Sequence, residues 1–414
     1  MNREEKLAFC EFIKKAPTPF HAVNLLKETL MHHGFSEIHE NESWSLKPES
    51  NYFIIRNGAM IAFKTPKKEL KKAIMLLSHT DSPGFKIKQQ PQKSVNNHEI
   101  IGLELYGSPL IYTWVDQTLY PAGMVYTKKN HQVQSRLVNL EQFKTLISPL
   151  AIHLDRDVNQ KGASFNKQTE INPLFSLSKP FLKELQERFE NLLSFDLFLV
   201  PLNPVETFGL DEEFIAAYRI DNLSSVYASL QALLNSKTHE HALQTCIFFD
   251  HEEIGSQTAE GAESKFFEDI LKRISLHLTS DHESFYKIKS QSLALSIDVA
   301  HAVHPHFPAK HDMESPPYLG KGPVIKFSAA KKYATTAKLA AHIQAIKGDV
   351  PTQNFHIHGE IGSGSTVGPI FSAKLGIDTI DLGIGMLGMH AMKEVMAFED
   401  LKHLTNLLES VLKD

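Results

Sequence analysis

The chain has 414 residues, 42% of them hydrophobic and 22% charged, with a formal net charge of −5. That length asks for one large domain or two ordinary ones, and the charge balance offers no concentrated positive field for nucleic acid. No apolar run approaches the length of a membrane span, and only two cysteines are present, Cys10 and Cys246. Their separation argues against a disulfide framework or a thiolate zinc site and points to a reducing cytoplasm.

The opening stretch, MNREEKLAFCEFIKKAPTPFHAVNLLKETL, mixes acids and lysines with helically spaced apolar residues. It reads as a mature helical N-terminus rather than a signal peptide. Within KKAIMLLSHTDSPGFKIK, the run Ala73 to Leu77 is continuously apolar, the mark of a strand buried on both faces. From about Gln90 to Pro204 the character changes. EIIGLELYGSPLIYTWVDQTLYPAGMVYTKK is rich in β-branched and aromatic residues interrupted by Gly and Pro, which predicts consecutive strands and turns. The polar stretch 159–172 reads as a long loop, and KPFLKELQERFENLLS as a helix.

Beyond about Glu212 helix and strand alternate. DNLSSVYASLQALLNS has helical spacing with Asp221 at its entrance, TCIFFDHEE and SLALSIDVAHAVH read as strands, and so do GPVIKFS and KLGIDTIDLGIG. A helix closes the chain from about Phe398. Such alternation predicts an α/β fold with a mostly parallel central sheet flanked by helices. The simplest organisation is a discontinuous domain, 1–89 and 213–414, interrupted by a β-rich insertion, 90–212.

In open α/β sheets, chemistry gathers beyond the carboxyl ends of strands. Several predicted strands here end in a potential metal ligand: His79 and Asp81, Glu252 and Glu253, Asp298 and His301. His390 follows another strand, and Asp221 opens a helix. A single strand-end Asp or His is ordinarily a cap or turn former; their recurrence at so many strand ends is what points to a site. Two histidines and three carboxylates suit zinc or a similar divalent ion. Five ligands exceed the roughly three that one catalytic zinc takes, but suit two ions about 3.5–4 Å apart that share a carboxylate and polarise a substrate carbonyl. A sixth acid would serve as general base, so one of the adjacent glutamates would bind metal and the other move protons. Competing motifs fail on spacing. In HEEIG the second histidine of a zincin is replaced by Gly255, and GSGST (Gly362 to Thr366) has neither a nucleophile elbow nor the lysine of a phosphate loop. HAVHPHF brings His301, His304 and His306 together, one of them expected at the substrate pocket and the others structural.

LLSHTDSPGFKIK, YRIDNLSSVYASLQAL, FFDHEEIGS, SIDVAHAVHPHF, GPVIK, STVGPI and GMHAMKEVM, taken in this order, resemble the M18 metallopeptidases, the aspartyl aminopeptidase family. The resemblance implies a zinc-peptidase domain interrupted by a β-rich dimerisation domain, and dimers assembling into a tetrahedral dodecamer. It implies two divalent ions per subunit, zinc with manganese or cobalt as alternatives, and small peptides as substrates. Residue by residue, His79 and Asp298 match ligands of one metal, Glu253 and His390 those of the other, and Asp221 the bridge. Glu252 matches the general base and Asp81 the acid that orients His79. His301, Lys326 and Tyr333 match substrate-pocket positions, and His153 a histidine that the family sends into a neighbouring subunit's site. YGSPLIYTWVDQTL and the region of Glu360 depart from eukaryotic relatives, which bears on any preference for acidic N-terminal residues rather than on the metal ligands. Lys326 would be the cation for such a residue, although members of differing preference share it. The rival readings are a related di-zinc carboxypeptidase or deacylase, and a non-catalytic assembly protein on the same fold.

Overall fold

The computed structural model describes residues 1–279, 281–362 and 364–414. Ser363, inside the GSGST loop weighed above, therefore lies outside the described residues. A nine-stranded sheet runs, edge to edge, Ser36–Glu37, Asn51–Arg56, Ala59–Lys64, Ala242–Phe249, Lys72–His79, Leu293–Ile297, Asp378–Gly383, Val324–Phe327 and Gln353–His356. The four strands from Ala242–Phe249 to Asp378–Gly383 are mutually parallel. Antiparallel pairings occur where Ala59–Lys64 meets its two neighbours and where Val324–Phe327 meets Asp378–Gly383.

The apolar run in Lys72–His79 is buried on both faces because side chains alternate across a strand. Ile74 and Leu76 join a core containing the helices Arg3–Lys15, Ile220–Asn235 and Phe398–Lys413. Ala73, Met75 and Leu77 join a second core with Phe266–Leu278 and Val367–Leu375. Register matters for the site: His79 lies opposite Phe249, so these two central strands finish at the same level and release their following residues into one space.

A separate seven-stranded antiparallel sheet is drawn from residues 84–201. Its first strand, Gly84–Val95, begins before the composition changes near Gln90, because its first residues are still buried and apolar in alternation. A small sheet of Val205–Phe208, Phe214–Ala217 and Glu394–Ala397 lies between the two in sequence and pairs with the C-terminal part of the chain.

Three local expectations change. The helix read over KPFLKELQERFENLLS stops at Arg188; Asn191 takes a positive φ of 55°, and Leu192–Pro201 becomes a strand paired with Thr118–Lys129. Long-range pairing overrides the local helical spacing there. The 159–172 stretch opens on one helical turn, Val158–Lys161. The strand expected through Glu253 ends at Phe249, and the two glutamates sit on a single 3₁₀ turn, Glu252–Ile254. At three residues per turn, successive side chains diverge by about a third of a circle, so the two acids still face different ways. The turn is bracketed by His251 (φ 65°) and Gly255 (φ 98°). The closing helix, Phe398–Lys413, starts where its spacing predicts. Among the described residues no helix is long and apolar enough to cross a membrane.

Candidate metal centre

The strand ends and the helix entrance converge on one cavity of about 450 Å³ whose wall includes His79, Asp221, Glu252, Glu253, Asp298 and His390. Asp221 stands in its wall between the two histidines. It belongs to the Ile220–Asn235 helix but, with Asn222, departs from helical φ/ψ, so its carboxylate leaves the helix line. One oxygen, Oδ1, faces His79 Nε2 at 3.4 Å, and the other, Oδ2, faces His390 Nε2 at 3.5 Å. Around His79 Nε2 lie Asp298 Oδ1 at 3.8 Å and Glu252 Oε2 at 4.0 Å. Glu253 Oε2 lies 3.5 Å from His390 Nε2. The donors that converge within 4.8 Å of one another are those of His79, Asp221 and Glu253, a group that spans both of the ligand sets implied by the resemblance.

Each imidazole is oriented from behind. His79 Nδ1 faces the carbonyl oxygen of Asp81 at 3.1 Å and Asp81 Oδ1 at 3.3 Å. His390 Nδ1 donates to the carbonyl of Ser108 at 3.1 Å. Both Nδ1 atoms thus carry the proton, which leaves an Nε2 lone pair aimed at carboxylate oxygens. An acceptor facing an acceptor is reconciled by a cation between them or, in metal-free protein, by a second proton on each ring. Asp221 Oδ1 is moreover buried without a hydrogen-bond partner, a position that costs free energy unless something positive occupies the space. The residues present therefore fit a divalent ion with mixed nitrogen and oxygen ligands.

The electrostatics agree. Burial raises the Glu253 carboxyl well above its usual range, and the nearby Asp221 charge adds to it. Burial, opposed in part by His79, pushes Glu252 up to about 8. Burial would also raise Asp221, but the imidazoles of His390 and His79 outweigh it and hold Asp221 below the carboxylate range. Burial works against a proton on His79, yet Asp221, Asp298 and Asp81 raise it. The negative charge exceeds what two imidazoles can balance.

The described residues form two matching clamps. Asp81, fully buried, accepts from the backbone N–H of Glu252 at 3.1 Å and of Glu253 at 3.0 Å, and from the Tyr106 hydroxyl at 2.8 Å. Glu394, 2% exposed, accepts from the N–H of His390 at 2.7 Å and of Asp221 at 2.9 Å. Each buried carboxylate thereby fixes the backbone beneath two cavity residues.

The residues expected at a substrate pocket divide. His301, Lys326 and Tyr333 line the same cavity. Lys326, 2% exposed, reaches to 3.6 Å from Asp298 Oδ2 and lies over the Tyr333 ring. Burial opposes its charge, but Asp298 outweighs that and raises its pKa. His153 is exposed on the turn before Val158–Lys161 and does not line the cavity. His304 and His306 are not in the cavity wall either.

The family model described as "Aminopeptidase I zinc metalloprotease (M18)" matches residues 12–411. The chain belongs to the M18 family of metallo-aminopeptidases. A Clostridium acetobutylicum protein described as "Probable M18 family aminopeptidase 2" is 38% identical over 404 residues, covering 93% of each chain. A chain of the "Cryo-EM structure of the Ape4 and Nbr1 complex" superposes with a TM-score of 0.92 at 32% identity, covering 98% of this chain and 84% of that one. The "Structure of S. cerevesiae mApe1 dodecamer" shares the fold, with a TM-score of 0.82 at 24% identity over 98% of this chain and 95% of that one. M18 membership replaces the carboxypeptidase, deacylase and non-catalytic readings.

Sequence reasoning on this M18 enzyme did not single out Glu394, Tyr106 or Ser108. Glu394 in AMKEVM looks like a surface charge flanking a short strand, and its partners are 4 and 173 residues away. The one local signal is its position four residues after His390. Glu394→Gln keeps the shape but turns an amide –NH₂ toward one of the two N–H donors. Zinc affinity, read by competition with a chromophoric chelator, should fall about 10- to 100-fold, the usual effect of losing such a support. Wild-type affinity in this variant would show the clamp to be dispensable.

Proposed function

We propose that this M18 enzyme removes N-terminal residues from peptides with two divalent ions, held by His79 and Asp298 on one side and by His390 and Glu253 on the other, and shared by Asp221. The observation that carries this reading is the Asp221 carboxylate, which turns one oxygen to each imidazole Nε2. When bound, the ions supply Lewis acidity toward the scissile carbonyl and lower the pKa of water. Glu252 stands beside this pair with its backbone pinned by Asp81. It takes a proton from the attacking water as the oxygen–carbon bond forms, then passes it to the amide nitrogen as the carbon–nitrogen bond breaks. Asp81 and Glu394 hold the surrounding side chains in place throughout.

Among the described lining residues Lys326 is the sole lysine or arginine, and it is the feature that favours an acidic N-terminal residue. Zinc is the ion favoured by family, with manganese or cobalt as alternatives. A homo-oligomer of dimers, assembled as in the dodecameric relative, fits the exposed apolar side chains Leu150, Leu154 and Leu177, which are 64%, 73% and 76% exposed. His153 lies between the first two and is exposed, which supports its reading as the residue that enters a neighbouring subunit's site. The dimer contact would come from the 90–212 insertion, and a cytoplasmic site of action fits the buried, unpaired Cys10 and Cys246.

The test is a panel of aminoacyl fluorogenic substrates with free and acetylated amines, assayed after chelation and with each metal added back. Free-amine substrates should be cleaved, those with Glu or Asp fastest, with two ions per chain at full activity. Cleavage of acetylated substrates alone would overturn the reading, and full activity with one ion per chain would overturn the shared-carboxylate centre.

A further inference from the structure

A second cavity, of about 390 Å³, adjoins the first and shares its wall residues His301 and Phe355. The side chains around it are unusually rich in imidazole. Three of the rings are held in a defined tautomer by backbone N–H groups. The N–H of His306 donates to His304 Nδ1 at 3.2 Å, that of Glu360 to His358 Nδ1 at 3.3 Å, and that of His304 to His311 Nε2 at 3.2 Å. A ring nitrogen that accepts carries no proton, so the other nitrogen of each neutral ring is an N–H donor. His304 Nε2, His358 Nε2 and His311 Nδ1 are therefore donors, and none has a protein acceptor among the described residues. The ammonium of Lys310 joins them in the wall. The one carboxylate there, Asp312, accepts from the N–H of Glu314 at 2.9 Å and so is already engaged. Phe355 and Met386, both buried, supply an apolar surface beneath these groups.

We propose that this second cavity is a substrate subsite that receives a carboxylate of the peptide being hydrolysed. Three imidazole N–H donors, unpaired among the described residues, and one ammonium, against a single carboxylate that already accepts a backbone N–H, stand over an apolar base, which suits an anion with a short hydrocarbon stem. The shared His301 and Phe355 make it continuous with the hydrolytic cavity, so one peptide can occupy both. A carboxylate there comes either from an acidic side chain or from the C-terminus of a short peptide. The inference rests on the aminopeptidase reading above.

The metal-loaded protein and its Lys310→Gln and His358→Gln variants, single and combined, are assayed on four peptides: Ala-Ala amide, Glu-Ala amide, Ala-Glu amide and Ala-Ala with a free C-terminus. In the double variant, kcat/KM for at least one carboxylate-bearing peptide, divided by that for Ala-Ala amide, should fall about tenfold. That is the size expected for losing charge-assisted hydrogen bonds. Which peptide's ratio falls identifies the source of the carboxylate. Because each ratio is taken within one variant, partial loss of folded enzyme cancels. Ratios equal to those of the unsubstituted protein would overturn the subsite. If the unsubstituted protein cleaves none of the four, the aminopeptidase reading is what fails. Calorimetric titration with the same uncleaved peptides then reads the cavity directly: tighter binding of the acidic peptides, lost in the double variant, supports the subsite, and equal binding of all four overturns it.

Discussion

Glu252→Gln should leave the metal content at the wild-type level while lowering kcat by about 10²- to 10⁴-fold, the usual worth of a general base. The two readouts separate because Glu252 stands outside the pairs facing Asp221. It approaches His79 Nε2 only to 4.0 Å, whereas Glu253 lies 3.5 Å from His390 Nε2. Glutamine fills the same volume, and the N–H of residue 252 would still donate to Asp81. A near-normal kcat would sink the assignment, and metal content together with kcat distinguishes it from a ligand. The substitution also has a pH signature in metal-free protein. The Glu252 carboxyl is pushed from its ordinary 4.5 up to about 8 by burial, so it holds its proton more tightly folded than unfolded. Its contribution to stability is full below about pH 4.5 and is lost as pH rises through about 8. Glu252→Gln should flatten that part of the stability curve, measured by denaturant unfolding of chelator-treated protein.

Asp221→Ala should have the largest effect on the metal centre, removing metal and activity together. Both of its oxygens face an imidazole, so one truncation takes a ligand from each side. The wild-type protein should be stabilised by zinc in proportion to occupancy, by about 2.7 kcal/mol at a free concentration 100 times the dissociation constant. In Asp221→Ala most of that gain should disappear, seen as nearly equal melting temperatures with zinc and with chelator. The metal-free variant should itself be weakened, because the imidazoles of His79 and His390 hold the Asp221 carboxyl below its usual range and truncation leaves both without that partner; the comparison that reads the metal centre is therefore zinc against chelator within each protein. Two ions retained per chain would count against the shared carboxylate.

Much of the site was legible because its members sit where local pattern is strongest. Continuous apolar runs announced Lys72–His79 and Ala242–Phe249, and residues beyond parallel strands share one edge of the sheet by geometry. The glutamate pair was readable as two acids whose side chains point different ways, though on a 3₁₀ turn rather than a strand. What the sequence hid has a common physical cause. Glu394, Tyr106 and Ser108 act on backbone or on a second side chain across long separations, and no local period marks such contacts. The end of the helix at Arg188 was hidden for a related reason, since only the partner strand Thr118–Lys129 makes the following residues extended. The donor tautomers of His304, His311 and His358 likewise depend on backbone groups that spacing alone does not place.

The segment from Tyr106 to Thr113 is sewn to the residues around His390. Beyond the Tyr106 and Ser108 contacts, the N–H of Leu110 donates to the carbonyl of His390 at 2.9 Å, and that of Met392 to the Thr113 hydroxyl at 2.9 Å. The antiparallel sheet is thus no detachable accessory. A chain shortened by excising it would lose the phenol behind Asp81 and the carbonyl behind His390, and with them the setting of both imidazoles. Any substitution that lets this sheet drift, including one made far away to alter how copies associate, would register at the chemistry as a change in turnover.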